Sequence, residues 1–367
     1  MVTLKLKHEE NMNNLIERKI KSSRTFILGA GFSASAGVPM IGTLLDKAMK
    51  IFKEESKGIF ERVDNYAREC FQTPEGQDVC YLTVNFSKLC TFLEYIELKE
   101  FGGGERWSKN GSKEKLNLRY YLAKAIIEST PEEDNIPKIY LDFVNELHET
   151  DVVLSFNWDP LLERALNKAG KAYTYNHKDK NKDKNKNAVT ISKLHGSVNW
   201  RLGESHTLLK SDIDLSWKSM EFTDGMMDQE MYHSQLLLEK KIWDTSRRNP
   251  EIEPFLVLPG YGKAFDVRAN AEFWYKPEFA FAFTHDVYII GLSLAHDDFF
   301  IQSFFLSNLP FIDGYTGISG RKIHIINPAS DIAANYDFII RKGFTEIHQE
   351  NFDYKHIRMM RDRRLST

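Results

Sequence analysis

At 367 residues, with 42% hydrophobic and 28% charged residues, the chain has the composition of a globular protein with room for a sizeable core. A formal net charge of −3 excludes a global electrostatic drive toward nucleic acid. The only cysteines, Cys70, Cys80 and Cys90, form no Cys-x-x-Cys pair, so neither a cysteine zinc site nor a disulfide framework is expected.

The opening MVTLKLKHEENMNN lacks the apolar core of a signal peptide, and the most apolar tract, VYIIGLSLA, is too short to span a bilayer. A cytoplasmic protein without membrane association is therefore expected. In chain order, residues 8–21 read as a short helix. Residues 24–31 read as a buried strand running into a glycine turn. Ile41, Leu44, Leu45, Ala48, Met49 and Phe52 repeat with helical spacing, as do Leu89, Phe92, Leu93 and Ile96, and again Tyr140, Phe143, Val144 and Leu147. Residues 41–149 thus read as a helical insertion, broken by the loop FGGGERW. DVVLSFN (151–157) predicts a second buried strand. A helix follows, with Asp159 at its N-cap, Pro160 at its first position and Gly170 as its stop.

Residues 176–187, NHKDKNKDKNKN, are too polar to bury anything and read as a solvated loop. AVTISKLHGS predicts a strand ending at His195. Residues 197–254 read as a second insertion of mixed helix and loop. FLVLPGYG, DVYIIGLS and KIHIINP are apolar runs that predict strands, with the helix DDFFIQSFFLSNL between the last two. Buried strands alternating with helices predict an α/β fold, a Rossmann-like parallel sheet flanked by helices, within one domain spanning 1–367. The basic KHIRMMRDRR, in a C-terminal tail at 355–367, is either a solvated terminal helix or a docking segment.

In an open parallel sheet, ligands bind at the carboxyl ends of the strands. Gly29, Ala30, Gly31, Phe32, Ser33 and Ala34 fit G-x-G-x-x-G/A after an apolar strand, a pattern in which small residues let backbone N–H groups approach a pyrophosphate. The same run also suits a tight turn with no ligand. The ribose-binding acid of a dehydrogenase is not evident. Further strand ends carry Asn157 and Asp159, His195 and Ser197, Gly291 and Ser293, and Asn327. Singly, Asp159 suits a helix cap, His195 a structural imidazole, and Asn157, Gly291 and Asn327 turns.

Taken in order, GAGFSASAGVP, FNWD, LHGS, GLS and IN resemble the sirtuin signatures, over roughly residues 22–200 and 255–330. Two departures matter. Residues 196–367 contain no cysteine, so the zinc ribbon of the deacylases is missing, and Met40-Ile41-Gly42 stands where they carry Asp-Phe-Arg. The pattern is similar to the zinc-free, sirtuin-like bacterial NAD hydrolases of anti-phage defence.

That resemblance implies an NAD+ glycohydrolase with NAD+ as substrate and no metal. Asn157, Asp159 and His195 would be catalytic. Gly29, Ala30, Gly31, Phe32 and Ser33 would cradle the pyrophosphate, and Gly291, Ser293 and Asn327 would hold the adenosine half. It further implies a homo-oligomer gated by a partner, either a HerA-type hexameric ATPase or an Argonaute-like protein. The alternatives are an NAD-dependent protein deacylase and a non-catalytic module that binds NAD or ADP-ribose. Direct nucleic-acid binding through Lys178, Lys180, Lys182, Lys184 and Lys186 is not expected, because Asp179 and Asp183 are interspersed among them.

Overall fold

The computed structural model describes residues 23–99, 113–175, 187–202, 231–233, 254–261, 263, 274, 281, 284–294, 298–312, 321–338 and 344–366. The helix expected at 8–21, the FGGGERW loop and nearly all of the lysine-rich loop lie outside them.

Apolar runs that bury both faces become the centre of a parallel sheet. β1 (Arg24–Leu28) and β9 (Asp286–Ile290) are buried along their whole length. They pair with each other, and β1 pairs on its other side with β2 (Val152–Ser155). Seven strands lie in the order β11-β10-β9-β1-β2-β4-β3, every neighbouring pair parallel. Here β3 is Tyr173–Tyr175, β4 Val189–Lys193, β10 Lys322–Ile326 and β11 Thr345–His348. From β1 the chain builds β2, the edge strand β3 and then β4 between them on one side, and returns to build β9, β10 and β11 outward on the other. The reversal falls between β1 and β9, where an open α/β sheet forms its crevice. The Rossmann-like sheet flanked by helices is as the sequence predicts.

Short elements aim the loops at that crevice. α1 (Ala30–Ala34) follows β1 directly. The helical segment then builds a core of its own. α2 (Ile41–Glu55), α3 (Lys57–Phe71), α4 (Phe86–Lys99) and α5 (Lys113–Ser129) bury Leu45, Phe52, Val63, Leu89, Leu122 and Ile126 together. Ile41, expected on the buried stripe of α2, is exposed at its first position. α6 (Lys138–Glu146) belongs instead to the sheet's core, with Phe143 edge-on against Phe26. α7 (Leu161–Lys168) follows β2, with Pro160 at the cap and Asp159 one residue before it.

The strand expected to end at His195 ends at Lys193 and resumes as the short β5 (Gly196–Ser197), antiparallel to β8 (Phe255–Leu256). FLVLPGYG therefore stays outside the parallel sheet, because Phe255 and Leu256 pair with residues 196 and 197. In the second expected insertion the described residues form a small antiparallel pair, β6 (Trp200–Leu202) with β7 (Met231–His233). β3 and β11, at the two sheet edges, are strands the sequence reading does not anticipate. α8 (Phe299–Ile312) and α9 (Ile332–Asn335) follow β9 and β10.

The basic C-terminal segment forms α10 (Tyr354–Ser366), which packs on α6. Its Ile357 and Met360 are buried, Arg361 pairs with Glu146 and Arg363 with Asp286. Among the described residues no helix is long and apolar enough to cross a membrane.

Candidate functional site

The glycines after β1 are explained first by the turn they meet. Gly29 N–H donates to Ile290 O at 3.0 Å, and Gly31 N–H donates to Gly291 O at 2.8 Å. Gly291 has φ +66°, and a Cβ there would lie 2.1 Å from the Phe32 nitrogen. One added at Gly31 would lie 2.8 Å from the Gly291 Cα. The turns after β1 and β9 thus interlock backbone to backbone at the crevice. The Gly29 and Gly31 amides, expected to face a pyrophosphate, are already spent on this junction. Ala30 remains exposed at the start of α1. Phe32 points inward against Tyr140 and Phe143, and its carbonyl accepts the Tyr140 hydroxyl at 2.8 Å.

Ser33, on α1, is the hinge of the polar cluster. Its hydroxyl donates to Asp159 Oδ1 at 3.1 Å and accepts from Asn157 Nδ2 at 3.2 Å. Three residues expected to share a site are therefore joined by two hydrogen bonds, although Ser33 is separated from the others by more than a hundred positions. Asp159 Oδ1 also accepts the Leu161 amide at 3.1 Å, fixing the first turn of α7. Burial pushes the Asp159 carboxyl up. The Lys193 ammonium, the Leu161 amide and the Ser33 hydroxyl pull against that rise, whereas Glu163 adds to it. Lys193 ties the floor together: its Nζ donates to Asp159 O at 2.7 Å and pairs with Glu163 Oε1 at 3.2 Å.

His195 sits on the neighbouring strand end. Its carbonyl accepts Trp158 Nε1 at 3.0 Å and Val257 N at 2.9 Å. Gly196 takes φ +74°, and a Cβ there would lie 2.2 Å from Phe255 O, so only glycine lets β5 lie against β8 directly behind the histidine. The His195 ring packs edge-on to Phe156, with centroids 5.0 Å apart, and beside Trp274. Phe304 closes against both aromatic neighbours. Burial first, and the Lys263 charge second, hold this imidazole well below the ordinary histidine value. Its Nε2 is buried and meets no hydrogen-bond partner among the described residues. The result is a neutral imidazole with one ring nitrogen uncommitted.

The remaining expected residues line the same end of the sheet. Exposed Ser293 gives its carbonyl to Asn335 Nδ2 at 3.0 Å. Asn327 closes a turn, accepting the Ala329 amide on Oδ1 at 3.0 Å. Lys193, Glu163, Tyr140, Lys263 and Trp274 escape the sequence reading. For Lys193 a signal exists, a lysine inside the otherwise buried run AVTISKL. For Lys263 and Trp274 none does, because folding alone brings them to the histidine.

A family model described as the SIR2-like domain matches residues 151–301, which include Asn157, Asp159, His195, Gly291 and Ser293. No curated protein matches the sequence. Among solved structures, the chain is similar to a Sir2 enzyme at 13% identity and TM-score 0.40, covering 98% of this chain and 100% of that one. It is also similar to a Sir2 homologue variant in complex with ADP-ribose, at 13% identity and TM-score 0.40, covering 95% and 94%. A third is a Sir2 homologue variant in complex with 2′-O-acetyl ADP-ribose, at 13% identity and TM-score 0.39, covering 96% of each chain.

Proposed function

We propose that the protein is an NAD+ glycohydrolase that cleaves the nicotinamide–ribose bond to give nicotinamide and ADP-ribose. One observation carries this reading: Ser33 hydrogen-bonds both Asn157 and Asp159 at the strand ends of β1 and β2, and just past the end of the adjacent strand β4 His195 is held neutral, its Nε2 without a partner among the described residues. The SIR2-like match over the segment that holds three of these four residues supports NAD+ as substrate.

The chemistry asks little of an acid. Nicotinamide in NAD+ is already cationic, so the C1′–N bond breaks with its electron pair going to the ring nitrogen and no proton is supplied. The ribose passes through an oxocarbenium-like state, water adds at C1′, and one proton is released. A neutral imidazole suits that last task. His195 accepts the proton from water, directly or through a ribose hydroxyl, and burial keeps it unprotonated through the neutral range. Asn157 holds the nicotinamide-side ribose and positions the water. Asp159 fixes Ser33 and the first turn of α7, and its charge favours the developing cation. Gly291, Ser293 and Asn327 border the adenosine half.

Unregulated hydrolysis would exhaust the NAD+ of the cell that makes the enzyme. We therefore propose gating by self-association or by a partner protein, a HerA-type ATPase or an Argonaute-like protein, within an anti-phage response.

The test is nicotinamide release from NAD+ by the purified chain, alone and with its gene neighbour's product. Water-dependent release is expected, and Asn157→Ala should abolish it while leaving the protein soluble. Product formed only in the presence of an acylated peptide would replace this reading with a deacylase. Tight ADP-ribose binding without any release would replace it with a binding module.

A further inference from the structure

At the far edge of the sheet, a second group of titratable side chains converges without any part in the chemistry above. In the parallel register, Tyr288 of β9 is opposite His324 of β10, and His324 is opposite Glu346 of β11. Strand side chains alternate between faces, so Glu346 and His348 lie on one face, the face of His324. The His324 Nδ1 stands 3.4 Å from His348 Nε2 and 3.4 Å from Glu346 Oε2. His324 is fully buried, its ring stacked on Tyr288 at 4.8 Å and 10°, which fixes its direction. Its other nitrogen, Nε2, has no hydrogen-bond partner among the described residues, so nothing else fixes the ring's tautomer.

These separations suit a shared cation better than they suit hydrogen bonds. An N–H···N contact of 3.4 Å lies beyond the usual hydrogen-bond range of about 2.7–3.2 Å. By contrast, ligands held at about 2.1 Å around a tetrahedral ion stand roughly 3.4 Å from one another. We infer that His324, His348 and Glu346 form a binding site for a divalent first-row transition cation, with water completing the coordination. Two imidazoles and one carboxylate select zinc, cobalt, nickel or iron over magnesium and calcium, which prefer all-oxygen sites.

A neighbouring group, His348, Glu350 and His356, is less free. His356 Nδ1 accepts the Asp353 amide at 3.0 Å and its Nε2 meets Glu350 Oε1 at 3.1 Å, so both of its nitrogens are committed. Lys355 also pairs with Glu350. Two positive charges oppose the proposed ion: the Arg363 guanidinium of α10, which acts on both His324 and Glu346, and Lys322, whose Nζ lies 3.0 Å from Glu346 Oε1. That ammonium occupies the carboxylate when no cation is bound and must swing outward when one is. The ion would clip edge strand β11 to β10. Next along the face, His348 meets His356, His356 stacks on Phe352, and Phe352 packs on Phe32 of the glycine turn.

The experiment uses the tag-free full chain, stripped with a chelator and titrated with Co2+ alone. The expected result is one equivalent taken up, a visible d–d absorption and a higher unfolding midpoint. His348→Ala should lose all three. Glu346→Gln, at a partly exposed side chain, should weaken binding by more than about tenfold. Lys322→Met should tighten it. His148→Ala, on an exposed turn elsewhere, should bind as the parent does. Absence of stoichiometric uptake by the folded parent, or uptake by Glu346→Gln and His348→Ala equal to the parent's, would overturn the site.

Discussion

Two buried polar clusters sit at opposite ends of the same strands, and they are built differently. At the amino ends of β1 and β2, Asp151 is saturated. It accepts Arg24 Nη2 at 2.6 Å, Arg24 Nε at 3.2 Å, the Arg24 amide at 3.1 Å and the His148 amide at 2.9 Å. Beside it, Asp286 takes Arg363 in a two-pronged pair at 2.6 and 2.9 Å. At the carboxyl ends, Ser33, Asn157 and Asp159 share single hydrogen bonds, and the His195 Nε2 has no partner among the described residues. A cluster that only holds the fold satisfies its charges, since an unpaired buried charge costs several kcal/mol. A cluster that also does chemistry leaves a group uncommitted for substrate.

The sharpest way to break this contrast is His195→Ala. Nicotinamide release should fall by roughly 10²–10⁴-fold, the contribution of a positioned general base, with the urea midpoint unchanged. Because burial holds the imidazole neutral, activity of the parent should stay level as pH falls through about 6.5, the ordinary histidine value, and drop only below it. A variant that unfolds instead would make His195 a structural residue.

Asp151→Ala should do the reverse. It strands the Arg24 guanidinium, 2% exposed, and should cost about 3–5 kcal/mol in urea denaturation. Whatever protein remains folded should keep its turnover.

Asp286 gives a smaller, pH-resolved effect. Burial alone would raise its pKa, but hydrogen bonds from His285 and Arg363 and their charges hold it at about 2. Its folded value is depressed, so its contribution is complete above the unfolded value of about 4 and is lost as pH falls toward 2, about 2.5 kcal/mol in all. Acid unfolding of the parent should steepen across that window, and Arg363→Met should flatten it. Arg361, on the exposed rim beside Glu146, should matter least: Arg361→Ala should leave the urea midpoint where it was.

Much of this was legible in one dimension. Buried runs such as RTFIL and DVYII read as central strands, because after their polar first residues both faces are mostly apolar. Helical periodicity found α2 and α6, and the polar strand ends pointed to Asn157, Asp159 and His195. Edge strands were not legible. TEIH in β11 has no fully buried position and YTY in β3 has one, so neither carries the apolar signal. FLVLPGYG misled for the converse reason: it is apolar because it packs against the helical segment and behind His195. The expectation of no metal rested on cysteine spacing and on the family resemblance, and neither reads which histidines and carboxylates the fold gathers across β10 and β11.

The sequence by itself determined the repeat of strand and helix, the helical character of the segment after the glycine turn and the residue types at the strand ends, because periodicity and glycine placement are local properties of a chain. It could not decide what those residues would face. That Gly31 meets Gly291 rather than only a ligand, that Ser33 spends its hydroxyl on Asp159, and that His195 is buried beside Trp274, with burial first and Lys263 second lowering its pKa, were settled by tertiary structure. Burial and hydrogen-bond partners depend on segments far apart in the chain, and only folding brings them within reach.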